Sequence, residues 1–161
     1  MRELVATIKF TKPCLGNVKK YSCDSCSGRR WPYFVLPRTP DGAVRFEARW
    51  WRANMLFAAQ ILCRHQSAVR EIYFDICVDG SPRPELKDYY KRYLDSKRYM
   101  RHEAFLAGDT VNINCVVPNS ISDQDFAELL RIAGRFKGIS PFGPGEYGFF
   151  NVVTVKQKYG E

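Results

Sequence analysis

The stretch ISDQDFAELLRIAGRFKGISPFGPGEYGFFNVVTV, residues 121–155, reads as a helix, a glycine-rich loop and a strand in succession. Ser122 is placed to cap the helix, Asp125 stands three residues later, and Ile121 can staple onto Phe126. Phe126, Leu129, Leu130, Ala133 and Phe136 then recur at helical spacing until Gly138 stops the pattern. Five glycines (134, 138, 143, 145 and 148) fall within fifteen residues. Glycine loses the most conformational freedom on folding, so such a cluster implies tight turning or close approach to the backbone. Alternation over Phe149–Val155 predicts a final strand.

Outward from this stretch, the rest of the chain divides by period. Val5–Phe10 alternates like a strand and is ended by Lys12-Pro13. Residues 11–33, punctuated by Gly16, Asn17, Gly28 and Pro32, read as an inserted loop. Pro40-Asp41-Gly42 is a turn signal between Phe34–Leu36 and Ala43–Ala48, which predicts a hairpin. Trp51, Met55, Ala58, Ala59 and Leu62 share one face of a helix running from Trp50 to about His65. Val69–Val78 is rich in β-branched and aromatic residues and reads as a central strand. Residues 81–101 form a basic, tyrosine-rich insertion read in part as helix. His102–Leu106 and Thr110–Val117 are strands around the Ala107-Gly108-Asp109 turn. Without the inserted pieces the order is βαββαβ, which predicts a single α+β domain over 1–161 with a ferredoxin-like core.

Charge points to a class of partner. The 161-residue chain is 45% hydrophobic and carries a net charge of +8, an excess that favours a polyanion. From Arg83 to His102, seven bases outnumber three acids, leaving half of that +8 in twenty residues. Lys87, Lys91, Arg92, Lys97, Arg98 and Arg101 alternate there with Tyr89, Tyr90, Tyr93 and Tyr99. A second zone, Lys9–Arg38, holds Lys12, Lys19, Lys20, Arg29 and Arg30 among its seven bases, with Tyr21, Trp31 and Tyr33 nearby and Asp24 as its acid. Cations hold phosphates and aromatic faces stack unpaired bases, so the mixture suits a single strand. The bland alternative is a solvated face whose tyrosines pack inward. No apolar run reaches the ~18 residues of a membrane span, and the start lacks a signal peptide's apolar block. A cytoplasmic, non-membrane protein with reduced cysteines is the expectation.

Three cysteines, Cys14, Cys23 and Cys26, have the spacing of thiolates in a structural zinc site, with Cys63 or His65 as the fourth ligand. Free thiols in a loop are the alternative. Cys77 and Cys115 lie in strand patterns and read as core. His65 and His102 are the two imidazoles a metal-independent ribonuclease would have to use.

A glycine-rich loop between the second helix and the last strand of such a unit resembles the RAMP superfamily of CRISPR systems. In that family the loop lies against RNA. The matching residues here are Gly138, Gly143, Gly145 and Gly148, led in by Arg135 and Lys137, with Pro141, Pro144 and Glu146 as departures from the family pattern. The stretches IKFTKPCLGNV, WWRANMLFAAQILCRHQ and GRFKGISPFG are also similar to small phage-encoded proteins. The resemblance implies non-catalytic binding of single-stranded RNA or of an RNA–protein complex, CRISPR effector subunits included. It also leaves open a phage inhibitor of the anti-CRISPR type docking on such a complex, and an endoribonuclease.

Overall fold

A computed structural model describes residues 1–23, 28, 30–77, 83–93, 96–139 and 147–159; for 23, 30, 31, 76, 77, 88–93 and 96–100 it is the backbone that is described. The chain is α+β, with two α-helices and two sheets among the described residues. The first sheet has the order β5-β8-β1-β9, from β1 (Arg2–Phe10), β5 (Tyr73–Cys77), β8 (Thr110–Val117) and β9 (Phe150–Gln157). Every neighbouring pair in it is antiparallel. Helix α1 (Ala48–Leu62) lies between β1 and β5 in the chain, and α2 (Asp123–Phe136) between β8 and β9.

Period-2 alternation dictates which face the helices cover. Leu4, Ala6, Ile8 and Phe10 of β1 and Val111, Ile113, Cys115 and Val117 of β8 are all buried. They meet Trp51, Met55, Ala58 and Ala59 from α1 and Phe126, Leu129, Leu130 and Ala133 from α2 in one core. Ile121 and Phe126 are fully buried at the start of α2, as a staple requires, and Ser122 Oγ accepts the Asp125 N–H at 3.1 Å.

The two helices are tied end to middle. Asn54, buried in α1, donates its side-chain amide to the carbonyls of Ala133 (3.2 Å) and Gly138 (2.9 Å). The Gly138 carbonyl lies past the end of α2 and takes its donor from Asn54, while Ala133 O also accepts the Lys137 N–H within the helix. Gly138 turns the chain at φ +71°, and its N–H closes on Ala133 O at 2.8 Å. Gly134 has a different reason: a Cβ there would collide with the carbonyl and ring of Phe150 on β9.

The second sheet differs from the expectation. The described residues of 11–33 are largely strand rather than loop: β2 (Cys14–Leu15) and β3 (Val18–Cys23) lie there, and β4 (Arg30–Val35) begins there. The described residues of the 81–101 insertion are not helical. They form most of a strand pair, β6 (Glu85–Tyr93) with β7 (Ser96–Phe105). The insertion's many tyrosines favour a pleated backbone, and tertiary pairing decides the outcome. Strand β7 takes β6 on one edge, and β4 and the short β2 on the other. Strand β3 completes the sheet by pairing with β4.

Three smaller expectations change as well. The hairpin around Pro40-Asp41-Gly42 shrinks to a single bridge, Arg38 with Val44. Residues 68–71 form a 3₁₀ turn, so β5 starts at Tyr73, and it lies at the sheet edge rather than its centre. Strands β7 and β8 flank the Gly108 turn but belong to different sheets, so this turn joins the sheets. The rings of Phe10, Phe46 and Phe105 stack and abut across that junction.

Candidate nucleic-acid interface

Strand pairing unites the two basic zones. Where β4 runs parallel to β7, Tyr33 is opposite Arg101 and Phe34 is opposite His102. On the far side of β4, Lys20 pairs with Tyr33 and Lys19 with Phe34. One rung therefore reads Lys20, Tyr33, Arg101, Asp88, and the next, whose side chains alternate to the other face, reads Lys19, Phe34, His102, Lys87. Segments some fifty residues apart thus interleave cations with rings on neighbouring strands. Lys19, Lys20, Lys87 and Arg101 are exposed, and Lys19 Nζ stands 5.3 Å from the Tyr21 ring centre. Lys87 reaches Glu85 at 3.3 Å, an exposed pair that costs little to exchange for a phosphate.

Beyond Arg101 the strand pair continues as a two-stranded ribbon. Residues 89–93 pair with 96–100, and neither run pairs with another described strand. Five residues per strand extend it by about 17 Å. Its register sets Lys91 opposite Arg98 and Arg92 opposite Lys97, with Tyr90 opposite Tyr99. Like charges directly opposite each other oppose pairing.

Part of the basic content is used internally. Arg38 Nη2 pairs with Glu103 Oε2 at 2.6 Å, while Glu103 Oε1 accepts the Leu36 N–H. His102 is fully buried; Nδ1 lies 2.8 Å from the Gly16 carbonyl, so this nitrogen carries the proton and donates. Its ring stacks on Phe34 at 4.7 Å. His65 belongs to another environment, the turn after α1. Its Nε2 is 2.8 Å from Asp125 Oδ2 on α2, and Arg64 Nη1 lies 3.6 Å from Oδ1 of the same carboxylate. These contacts hold the Asp125 carboxyl below its ordinary range, the His65 hydrogen bond contributing most. The two histidines sit in separate polar settings, one buried in the second sheet and one between the helices.

The glycine loop divides. Gly138 is buried, and its carbonyl accepts from the Asn54 side chain. Gly148 is buried too, giving its N–H to Pro13 O and accepting from the Ile139 N–H. Gly143 and Gly145 lie outside the described residues. Arg135 and Lys137 are exposed at the end of α2, with the Arg135 guanidinium 5.5 Å from the Phe136 ring. Lys12 is exposed in the turn after β1. Arg29 lies outside the described residues; Arg30, Trp31, Tyr90, Lys91, Arg92, Lys97 and Arg98 are placed by backbone alone.

The thiol reading also changes. Cys14 is fully buried, its Sγ donating to the Ile139 carbonyl at 3.3 Å, and burial pushes its pKa up. A zinc ligand must be a thiolate; here the Cys14 thiol is paired with a backbone carbonyl. Cys115 is likewise raised by burial. Cys26 and the Cys23 side chain lie outside what is described, and no metal-binding cluster of three ligand residues occurs among the described residues.

By contrast, the face of the first sheet away from the helices is nearly neutral. Thr7, Asn112, Asn114, Val5 and Val116 lie along it, with Thr7 Oγ1 donating to Asn112 Oδ1 at 2.7 Å. The cation–aromatic mixture therefore belongs to the second sheet. Among the described residues, no helix is long and apolar enough to cross a membrane. No protein-family model and no curated protein matches the chain.

Proposed function

We propose that the protein is a non-catalytic binder of single-stranded RNA whose binding surface is the second sheet and its ribbon. The observation that carries this reading is the β4–β7 pairing, which brings two separate basic segments into one sheet. Lys20 and Arg101 would hold phosphates on one face with Tyr33 as the ring, while Lys19 and Lys87 with Tyr21 alternate to the other face, so the strand would wrap the sheet. The ribbon would reach further along the strand with its four cations.

A ferredoxin-like core is supported by the strand order β5-β8-β1-β9, with one helix after β1 and one after β8. On this reading the kinship is with RAMP proteins, and the preference for RNA over single-stranded DNA rests on that kinship. RNA alone, or RNA within a CRISPR-type ribonucleoprotein, is the proposed partner.

The test is a fluorescence-anisotropy titration of a labelled single-stranded RNA at rising salt. Affinity should fall steeply, with a log–log slope of about −0.7 for each phosphate neutralised. Affinity indifferent to salt, or equal affinity in a Lys91→Glu/Arg92→Glu/Lys97→Glu/Arg98→Glu variant, would overturn the assignment of the basic surface or of its ribbon respectively.

A further inference from the structure

The two edges of the first sheet differ. Strand β9 has a register shift against β1 between Thr7 and Ile8, and carries exposed Lys156, with Lys158 just beyond its end. Bulges and lysines are devices that keep a sheet edge from taking another strand. Strand β5 has no lysine or proline and pairs with β8 in unbroken register. No described strand pairs with its other side. Along that open edge, a cleft of about 620 Å³ separates β5 from residues 39–49. Its floor is the stack of Trp51 on Phe74, ring centres 4.5 Å apart. Tyr73 and Asp75 border it along the strand, their side chains alternating onto the opposite face of the sheet. Arg45 and Arg49 are exposed on the wall across from β5. Arg45 has no ion-pair partner among the described residues, and Arg49, its side chain 70% exposed, holds Glu47 in a pair that is readily exchanged.

An open edge beside a cleft can read an extended chain in two ways. Main-chain hydrogen bonds to the side of β5 that faces away from β8 give affinity, and the cleft selects alternate side chains. A residue added opposite Phe74 places its side chain over the cleft, because paired residues share a face. The residues two before and two after it point the same way. The Trp51–Phe74 floor suits an apolar side chain, and the two guanidiniums suit carboxylates. We propose that this edge docks an extended segment of a partner protein, added as a strand beside β5. Its apolar residue lies over Phe74, and an acidic residue two positions away meets Arg45 and Arg49. A second copy of β5 would bring Asp75 on the opposite face and no carboxylate to these arginines, so the charge of the wall favours a different chain. The site shares no residue with the basic sheet.

Anisotropy titrations of the full chain with labelled peptides test this. In the probe TETFTET the phenylalanine and both glutamates share one face of a strand. TKTFTKT reverses the charge, and TTEFETT keeps the composition but turns both glutamates to the other face. TETFTET should bind saturably and about tenfold tighter than either control. Arg45→Glu should weaken TETFTET and strengthen TKTFTKT. N-methylation of alternate backbone nitrogens should cost about tenfold in one phase and little in the other, since one set faces β5. The assignment is overturned if TTEFETT binds as tightly as TETFTET, if Arg45→Glu leaves the preference intact, or if both N-methylated peptides bind alike. A Lys19→Glu/Lys20→Glu variant should keep the peptide while losing RNA affinity; loss of the peptide would move it to the basic sheet and overturn the assignment too. A chain that sediments as a dimer which TETFTET does not dissociate would give the edge to a second copy, with the same consequence.

Discussion

Tyr33 and Arg101 stand opposite each other where β4 and β7 run parallel, and Lys20 faces Tyr33 from the other side. Two cations thus flank one aromatic ring across three strands. Lys20→Ala and Arg101→Ala should each weaken single-stranded RNA binding and reduce the salt slope by about 0.7, one phosphate apiece. Tyr33→Leu should weaken binding by about 1–3 kcal/mol while leaving the slope alone, since stacking releases no counterion. Anisotropy titrations at several salt concentrations separate the two effects. A Tyr33→Leu variant with an altered slope would mean that the ring positions a cation rather than a base.

The ribbon supplies a prediction in which stability and binding move in opposite directions. Lys91 faces Arg98 and Arg92 faces Lys97. Arg98→Glu with Lys97→Glu converts both repulsive rungs into ion pairs, each stabilising by about 0.2–1 kcal/mol relative to a neutral pair. Thermal unfolding should therefore shift upward, or at least not fall, while RNA affinity drops. A fall in both would show that these cations hold the fold rather than a ligand.

How much of this was legible depends on which force decides each segment. Helix α2 could be read from Ser122 to Gly138 because its cap, its apolar stripe and its stop are all local. Strands β1 and β8 could be read because one buried face imposes alternation. Residues 18–23, 85–93 and 96–100 resisted because little local patterning marks them as sheet; partner strands elsewhere in the chain complete it. Their signal was present in the aromatic and β-branched content of Tyr21, Tyr33-Phe34-Val35 and Tyr89-Tyr90, but it was outweighed by charge and by Gly16, Gly28 and Pro32. The candidate site was legible as two basic zones and illegible as one surface, because the Tyr33–Arg101 pairing has no sequence mark. Asn54 was similarly opaque: a polar residue at a core position announces a partner without naming Ala133 and Gly138.

Gly134 sets two effects against each other. Replacing a mid-helix glycine by alanine gains about 1 kcal/mol of helix propensity. A Cβ at this position, however, meets the backbone carbonyl and ring of Phe150, neither of which is the free end of a flexible chain. Overpacking of this kind costs about 1–3 kcal/mol, so Gly134→Ala should be neutral to destabilising and Gly134→Val clearly destabilising. Urea denaturation gives the sign. A stabilised Gly134→Ala would mean that β9 can shift away from α2.

Asp125 joins the ends of both helices, since it accepts from His65 and lies near Arg64 while its own N–H is held by Ser122. Its carboxyl is held below the ordinary value, first by the hydrogen bond from His65; desolvation opposes this and comes next, ahead of the nearby Arg64 and His65 charges, which lower it further. A carboxylate with a depressed folded-state pKa contributes stability that is fully present above its unfolded value, and this is lost as pH falls through the folded one. Asp125→Asn should therefore be less stable than the parent chain near neutrality, and the difference should shrink only once the pH drops below about 4, the ordinary aspartate range. Parallel urea titrations of both chains from neutral pH down to pH ~3 measure that convergence. A difference that persisted unchanged in acid would assign the loss to amide geometry at the start of α2 rather than to the carboxylate charge.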